Sequence, residues 1–141
     1  MLFILIMLSK LSKAFISVIN TSKAPKAIGP YSQAVVVNGL LYTSGCIAID
    51  STTNKVIKGS IKDQTHLCIK NAQQLLKAGN ADLCDVFSTH VYLKDMEKFG
   101  EMNSVYEKYF TEPFPARVCI EASRLPKDVD IEIEVVAAIP K

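Results

Sequence analysis

An arginine and a glutamate stand where strands would carry apolar residues. Arg117 opens the run ARVCIEAS (116–123), and Glu132 lies inside IEIEVVAA (131–138). A planar guanidinium fork holds a carboxylate through two parallel hydrogen bonds, which an ammonium does not match. A carboxylate orients or deprotonates water and stabilises a nearby cation. Together they suit a site for a small charged molecule. They equally suit exposed ion pairs of little energetic worth. Pattern alone leaves both readings open.

The other reactive types are scattered. Cys46, Cys68, Cys84 and Cys119 form no C-x-x-C pair, and His66 and His90 lie near no ligand cluster. Zinc sites need grouped thiolates or imidazoles, so no metal site is expected. Dispersed thiols fit a reducing compartment, and the burial tendency of Cys assigns Cys46, Cys68 and Cys84 to the interior. Cys119 would need activation to act as a nucleophile, and no His is near it in sequence. The net charge is +2 and no basic run exceeds two residues. Nothing in the composition therefore argues for nucleic acid.

These residues need a scaffold. The 141 residues are 49% apolar and 21% charged, the balance of one soluble globular domain, expected over 14–141. AFISVI (14–19) reads as a first strand. YSQAVVV and LLYTSGCIAI flank Asn38-Gly39, a strong hairpin signal. Ser60 with Asp63 resembles a capping box, followed by an amphipathic face of Ile61, Thr65, Cys68, Ala72, Leu75 and Leu76, with Gly79 as the stop. CDVFSTHVYL (84–93) reads as a strand. Asp95 caps a second helix whose stripe is Phe99, Met102, Tyr106, Tyr109 and Phe110, with Asn103 at its edge. The order β, hairpin, α, β, α, β, β predicts an α+β fold: a two-layer, six-stranded mixed sheet with two helices on one face.

Alternation divides each late strand into two faces. Val118, Ile120 and Ala122 oppose Arg117, Cys119, Glu121 and Ser123. Ile131, Ile133, Val135 and Ala137 oppose Glu132, Glu134, Val136 and Ala138. The apolar faces are expected under the helices. The other face then carries an Arg and several Glu, mixed with small apolar residues. Such a face fits a subunit interface with a small-molecule site, or simply solvent.

SKAPKAIGPYSQAV (22–35), YTSGCIAI (42–49), YLKDM (92–96), MNSVYEKYF (102–110) and FPARVCIEASRLPKDVDIEIEVVA (114–137) resemble the reactive-intermediate deaminases of the RidA type. The likeness covers about residues 18–140. It implies a chorismate-mutase-like fold and a homotrimer with a central barrel and intersubunit clefts. It implies hydrolysis of 2-imino acids, such as 2-iminobutanoate and 2-iminopropanoate, to 2-oxo acids and ammonia. These imines and their enamine tautomers are released by pyridoxal-phosphate enzymes. No metal or organic cofactor is implied, and no membrane.

By the same resemblance, Arg117 clamps the substrate carboxylate and Glu132 acts on the attacking water. Tyr31 closes over the substrate, and Ser44 and Gly45 lie beside it. Cys119 lines the pocket, and Asn103 lies near the cleft. One departure is Cys46, where many relatives carry Gln. Some family members are described as endoribonucleases or translation inhibitors, the second reading. A non-enzymatic trimer that captures small carboxylates is the third.

The start, MLFILIML followed by Lys10 and Lys13, is too short to span a bilayer as a helix. Residues 1–13 are read as a misassigned start, a targeting leader or an extension of the first strand. The protein is expected in the cytoplasm, or in a mitochondrion or plastid if the extension is a leader.

Overall fold

The structure is a computed structural model that describes residues 15–141; the expectations for residues 1–13 fall outside it. The chain runs β1 (Ser17–Ile19), β2 (Ala34–Val37), β3 (Leu40–Thr43), β4 (Cys46–Ile47), α1 (Ile61–Ala78), β5 (Val86–Leu93), α2 (Phe99–Tyr106), β6 (Ala116–Glu121) and β7 (Ile131–Ala138). These strands make one mixed sheet in the order β1-β2-β3-β7-β5-β6, with β4 also on β7. The pair β5–β6 is parallel, joined through α2, and the other pairs are antiparallel.

Local signals account for much of this. Asn38 (φ 50°) and Gly39 (φ 75°) both adopt left-handed backbone, so Val37 pairs with Leu40 across a tight hairpin. Ser60 caps α1 reciprocally. Its hydroxyl accepts from the Asp63 N–H at 3.2 Å, and the Asp63 carboxylate accepts from the Ser60 N–H at 3.0 Å. Cys68, Ile69, Ala72 and Leu76 of α1 are fully buried with Ile131, Ile133, Val135 and Ala137 of β7. Each large aliphatic side chain buried this way contributes about 1.5–3 kcal/mol. Among the described residues, no helix is long and apolar enough to cross a membrane.

Four expectations need correction. Among the described residues the sheet has seven strands, because LLYTSGCIAI is broken at Ser44-Gly45. There the Ser44 N–H turns back to the Gln33 carbonyl at 3.0 Å and its hydroxyl donates to the Ser32 carbonyl at 2.6 Å. Cys84 is exposed, not buried. It sits in a 3₁₀ turn, Leu83–Asp85, closed by Asp82 and Asp85, and the strand begins only at Val86. The second helix ends at Tyr106, so Tyr109 and Phe110 lie beyond it in a turned segment.

The fourth correction is the largest. Val118 and Ile120 do not lie under the helices. They are 46% and 47% exposed on the open sheet face, while Arg117 and Cys119 turn toward α2. A period-2 pattern defines two faces without saying which is covered. Here β6 is an edge strand, and its apolar row is the uncovered one.

Candidate active site

Glu132 projects from β7 onto the open face, beside Tyr92 of β5 and level with Ile47 of β4 in the strand register. Its carboxyl group packs directly on the backbone of Gly45. A β-carbon added there would overlap Glu132, coming 2.6 Å from its carboxyl carbon. The break in the β3–β4 ribbon therefore makes room for this side chain. Burial first, and then the Glu134 charge, push the Glu132 pKa above the usual carboxylate range. Among the described residues, Glu132 has no hydrogen-bond or ion-pair partner. A half-buried carboxylate without a partner is costly in a structural role.

Glu132 lies on a cavity of about 510 Å³ that Tyr31, Ser44, Gly45, Cys46 and Glu134 also line. The loop carrying Tyr31 is held firmly. Buried Gln33 accepts from the Thr21 N–H at 2.8 Å and donates to the Pro25 carbonyl at 2.7 Å. The Tyr31 hydroxyl accepts from the Ile28 N–H at 3.1 Å, which folds its ring back along the loop.

Arg117 occupies the opposite side of the sheet. It pairs in register with Thr89, which pairs with Val135, and both are buried against the helices. Its guanidinium lies over the rings of Tyr106 (4.7 Å) and Phe99 (5.4 Å) and donates to the Asn103 side-chain oxygen at 2.7 Å. These contacts hold the fork flat while the residue stays exposed. Cys119 and Met96 complete this open hollow. Burial raises the Cys119 thiol's pKa despite the opposing Arg117 charge, so no thiolate is stabilised there.

The sequence-derived residues therefore fall into two groups. Tyr31, Ser44, Gly45 and Glu132 share one cavity. Arg117 and Cys119 share another, across the sheet, and Asn103 is bonded to Arg117 beside it. Within one chain, Arg117 and Glu132 do not meet, contrary to the expectation that they share a face. Sequence reading also missed the stacking platform of Phe99 and Tyr106 beneath Arg117, and the neighbours of Glu134, which are His90 and Tyr92. Helical spacing marks the two rings as core residues and gives no hint of the cation above them.

The family model described as Endoribonuclease L-PSP matches residues 21–139. The chain belongs to the L-PSP family. Its relatives in that family include a RutC family protein of Pyrococcus horikoshii, 52% identical over 120 residues, covering 85% of this chain and 95% of the relative. The human 2-iminobutanoate/2-iminopropanoate deaminase is 42% identical over 120 residues, covering 85% of this chain and 88% of the relative. Among solved structures, Escherichia coli TdcF with bound serine superposes with a TM-score of 0.82 at 34% identity, covering 86% of this chain and 98% of that one. The L-PSP fold thus carries both cavities, one on each side of its sheet.

Proposed function

We propose that this protein hydrolyses small 2-imino acids to 2-oxo acids and ammonia, at sites built between copies of the chain in a homotrimer. One observation carries the reading. The unpartnered carboxyl of Glu132, its pKa raised by burial, and the held but exposed guanidinium of Arg117 form two half-sites on opposite sheet faces. Each lacks what the other supplies. The open face presents Val18, Tyr42, Val118 and Ile120, each more than 40% exposed, which suits packing against another copy. The human relative named as an imine deaminase and the TdcF structure named with bound serine, an α-carboxylate, support the substrate class.

The chemistry follows from the two groups. The substrate enters as an iminium carboxylate, and Arg117 of one copy receives the carboxylate. A water oxygen bonds to the iminium carbon while Glu132 of the next copy takes a water proton. The C=N π pair moves to nitrogen and gives a carbinolamine. Glu132 returns the proton to that nitrogen, the C–N bond breaks, and the hydroxyl oxygen forms the carbonyl as its proton leaves to the departing ammonia. Iminium acid and water thereby become 2-oxo acid and ammonium. A carboxyl with a raised pKa serves both the accepting and the returning step near neutral pH. Cys46, pushed up to about 12 by burial and then by the Glu132 charge, stays a thiol and forms wall only.

The test generates 2-iminobutanoate from threonine with threonine dehydratase and traps it with semicarbazide. The wild type lowers the trapped yield, and Arg117→Ala does not. Equal trapping with and without the wild type would sink the proposal. The RNA-cleavage reading lacks an acid–base histidine pair: His66 lies on α1 at Tyr109, and His90 on the open sheet face.

A further inference from the structure

The open sheet face carries a line of polar groups that the reaction above does not use. His90 pairs in register with Glu134, and Tyr92 with Glu132. The His90 Nδ1 lies 2.9 Å from one carboxylate oxygen of Glu134. It is poorly aligned for a hydrogen bond, and it is the one buried side-chain polar atom among the described residues without one. The Tyr92 hydroxyl donates to the same Glu134 oxygen at 3.3 Å. Burial, followed by the Glu134 charge, keeps that phenol protonated, so it has a proton to donate to the carboxylate. Glu134 itself lines the Glu132 cavity. The line thus runs from His90 through Glu134, which Tyr92 also holds, to the cavity wall beside Glu132.

We propose that Glu134, held by His90 and Tyr92, is a positioning residue that sets the protonation state of Glu132, and that a proton on His90 is felt at Glu132 through it. This deepens the imine-hydrolysis reading and rests on it for its catalytic consequence. An unpaired Glu134 charge favours the protonated form of Glu132. A proton on His90 neutralises Glu134 and releases Glu132 to ionise. The other ionisable groups facing Glu132 are few. Lys26 and Tyr31 line the far side of the same cavity, and Cys46 stands in its wall. On β6, the neighbouring Val118 and Ile120 carry no charge, and Arg117 points to the other face. Among the described residues of one chain, Glu134 is the charged neighbour that acts on Glu132, and its effect there has the required sign; Arg117 of another copy, with the bound carboxylate, enters only in the assembled site.

The test is a carboxyl titration by NMR of the full-length protein labelled with ¹³C-glutamate, with the Glu132 signal assigned by its loss in Glu132→Gln. Glu134→Gln is expected to move the Glu132 midpoint to lower pH. His90→Gln, which never carries the proton, is expected to move it to higher pH. The acidic limb of kcat/KM for imine hydrolysis moves with the midpoint in each variant. Midpoints that stay fixed, or move in the same direction in both variants, overturn the inference. A limb that stays while the midpoint moves overturns the catalytic part of it. Opposed midpoint shifts in a protein without any imine turnover would instead defeat the proposed function and leave the coupling standing.

Discussion

Arg117 and Glu132 project from opposite faces of one sheet, and β5 lies between their strands. No side-chain rotation brings them together in a single chain. If they act on one substrate, they belong to different copies. Arg117→Ala and Glu132→Gln are then each inactive alone. Dissociated, mixed and reassembled, they regain about a quarter of wild-type activity, the share of interfaces that unite the two intact residues under random pairing. Activity that stays at the level of the separate variants would show that both groups act within one chain or not at all.

Gly45 is required by contact with Glu132, not by backbone freedom. Gly45→Ala would drive the carboxyl group off its seat. The expected result is a fall of about 10²-fold in kcat, the cost of an ångström-scale misplacement of a catalytic group. Steady-state kinetics beside a circular-dichroism spectrum checks it, and the spectrum should be unchanged.

Asn103 touches Arg117 through one charge-assisted bond at 2.7 Å. Asn103→Ala leaves the rings of Tyr106 and Phe99 to hold the guanidinium. KM is expected to rise about 3- to 10-fold with kcat nearly intact, as for a lost hydrogen bond to a partly solvated charge. A drop in kcat without a KM effect would contradict the clamp role.

Glu132 also sets a dependence of stability on pH. Its folded pKa lies above the ordinary value, so the folded chain binds this proton more tightly than the unfolded one. The stabilising contribution is full below the unfolded value and is lost as pH rises through the folded one. Glu132→Gln removes that loss. Its Tm should exceed the wild type's at neutral pH, and the gap should close as the solution is acidified to pH about 4, near the ordinary carboxylate value. Thermal melts at the two pH values decide it.

Much of the scaffold was legible in sequence because its signals are local. The Asn38-Gly39 turn and the Ser60–Asp63 cap each depend on neighbours within three residues. The strand order from β5 to β7 followed from alternation and length. What escaped depends on distant partners. The side of the sheet that Arg117 occupies is decided by where α2 lies, and period-2 alternation is symmetric on that point. The break at Ser44-Gly45 reflects a side chain arriving from a strand more than eighty residues later. Exposure of Cys84 follows from a capping turn that replaced the strand's first residues. The tie of His90 and Tyr92 to Glu134 escaped because only the β5–β7 register brings them together.

The fold also bears on self-inactivation. Iminium species are electrophiles that thiolates attack, and a chain that turned them over would meet them at high local concentration. Cys46 stands in the cavity wall with its pKa pushed up to about 12, so it stays a thiol at neutral pH. Cys68, fully buried behind it, is held still more firmly protonated. The solvent-facing thiol, Cys84, sits in the turn before β5, among residues that line neither cavity. The cavity wall is thus poorly nucleophilic toward the electrophiles it would handle; Cys119, partly exposed beside Arg117, is also kept a thiol by burial, and the exposed sulfur of Cys84 lies away from both half-sites.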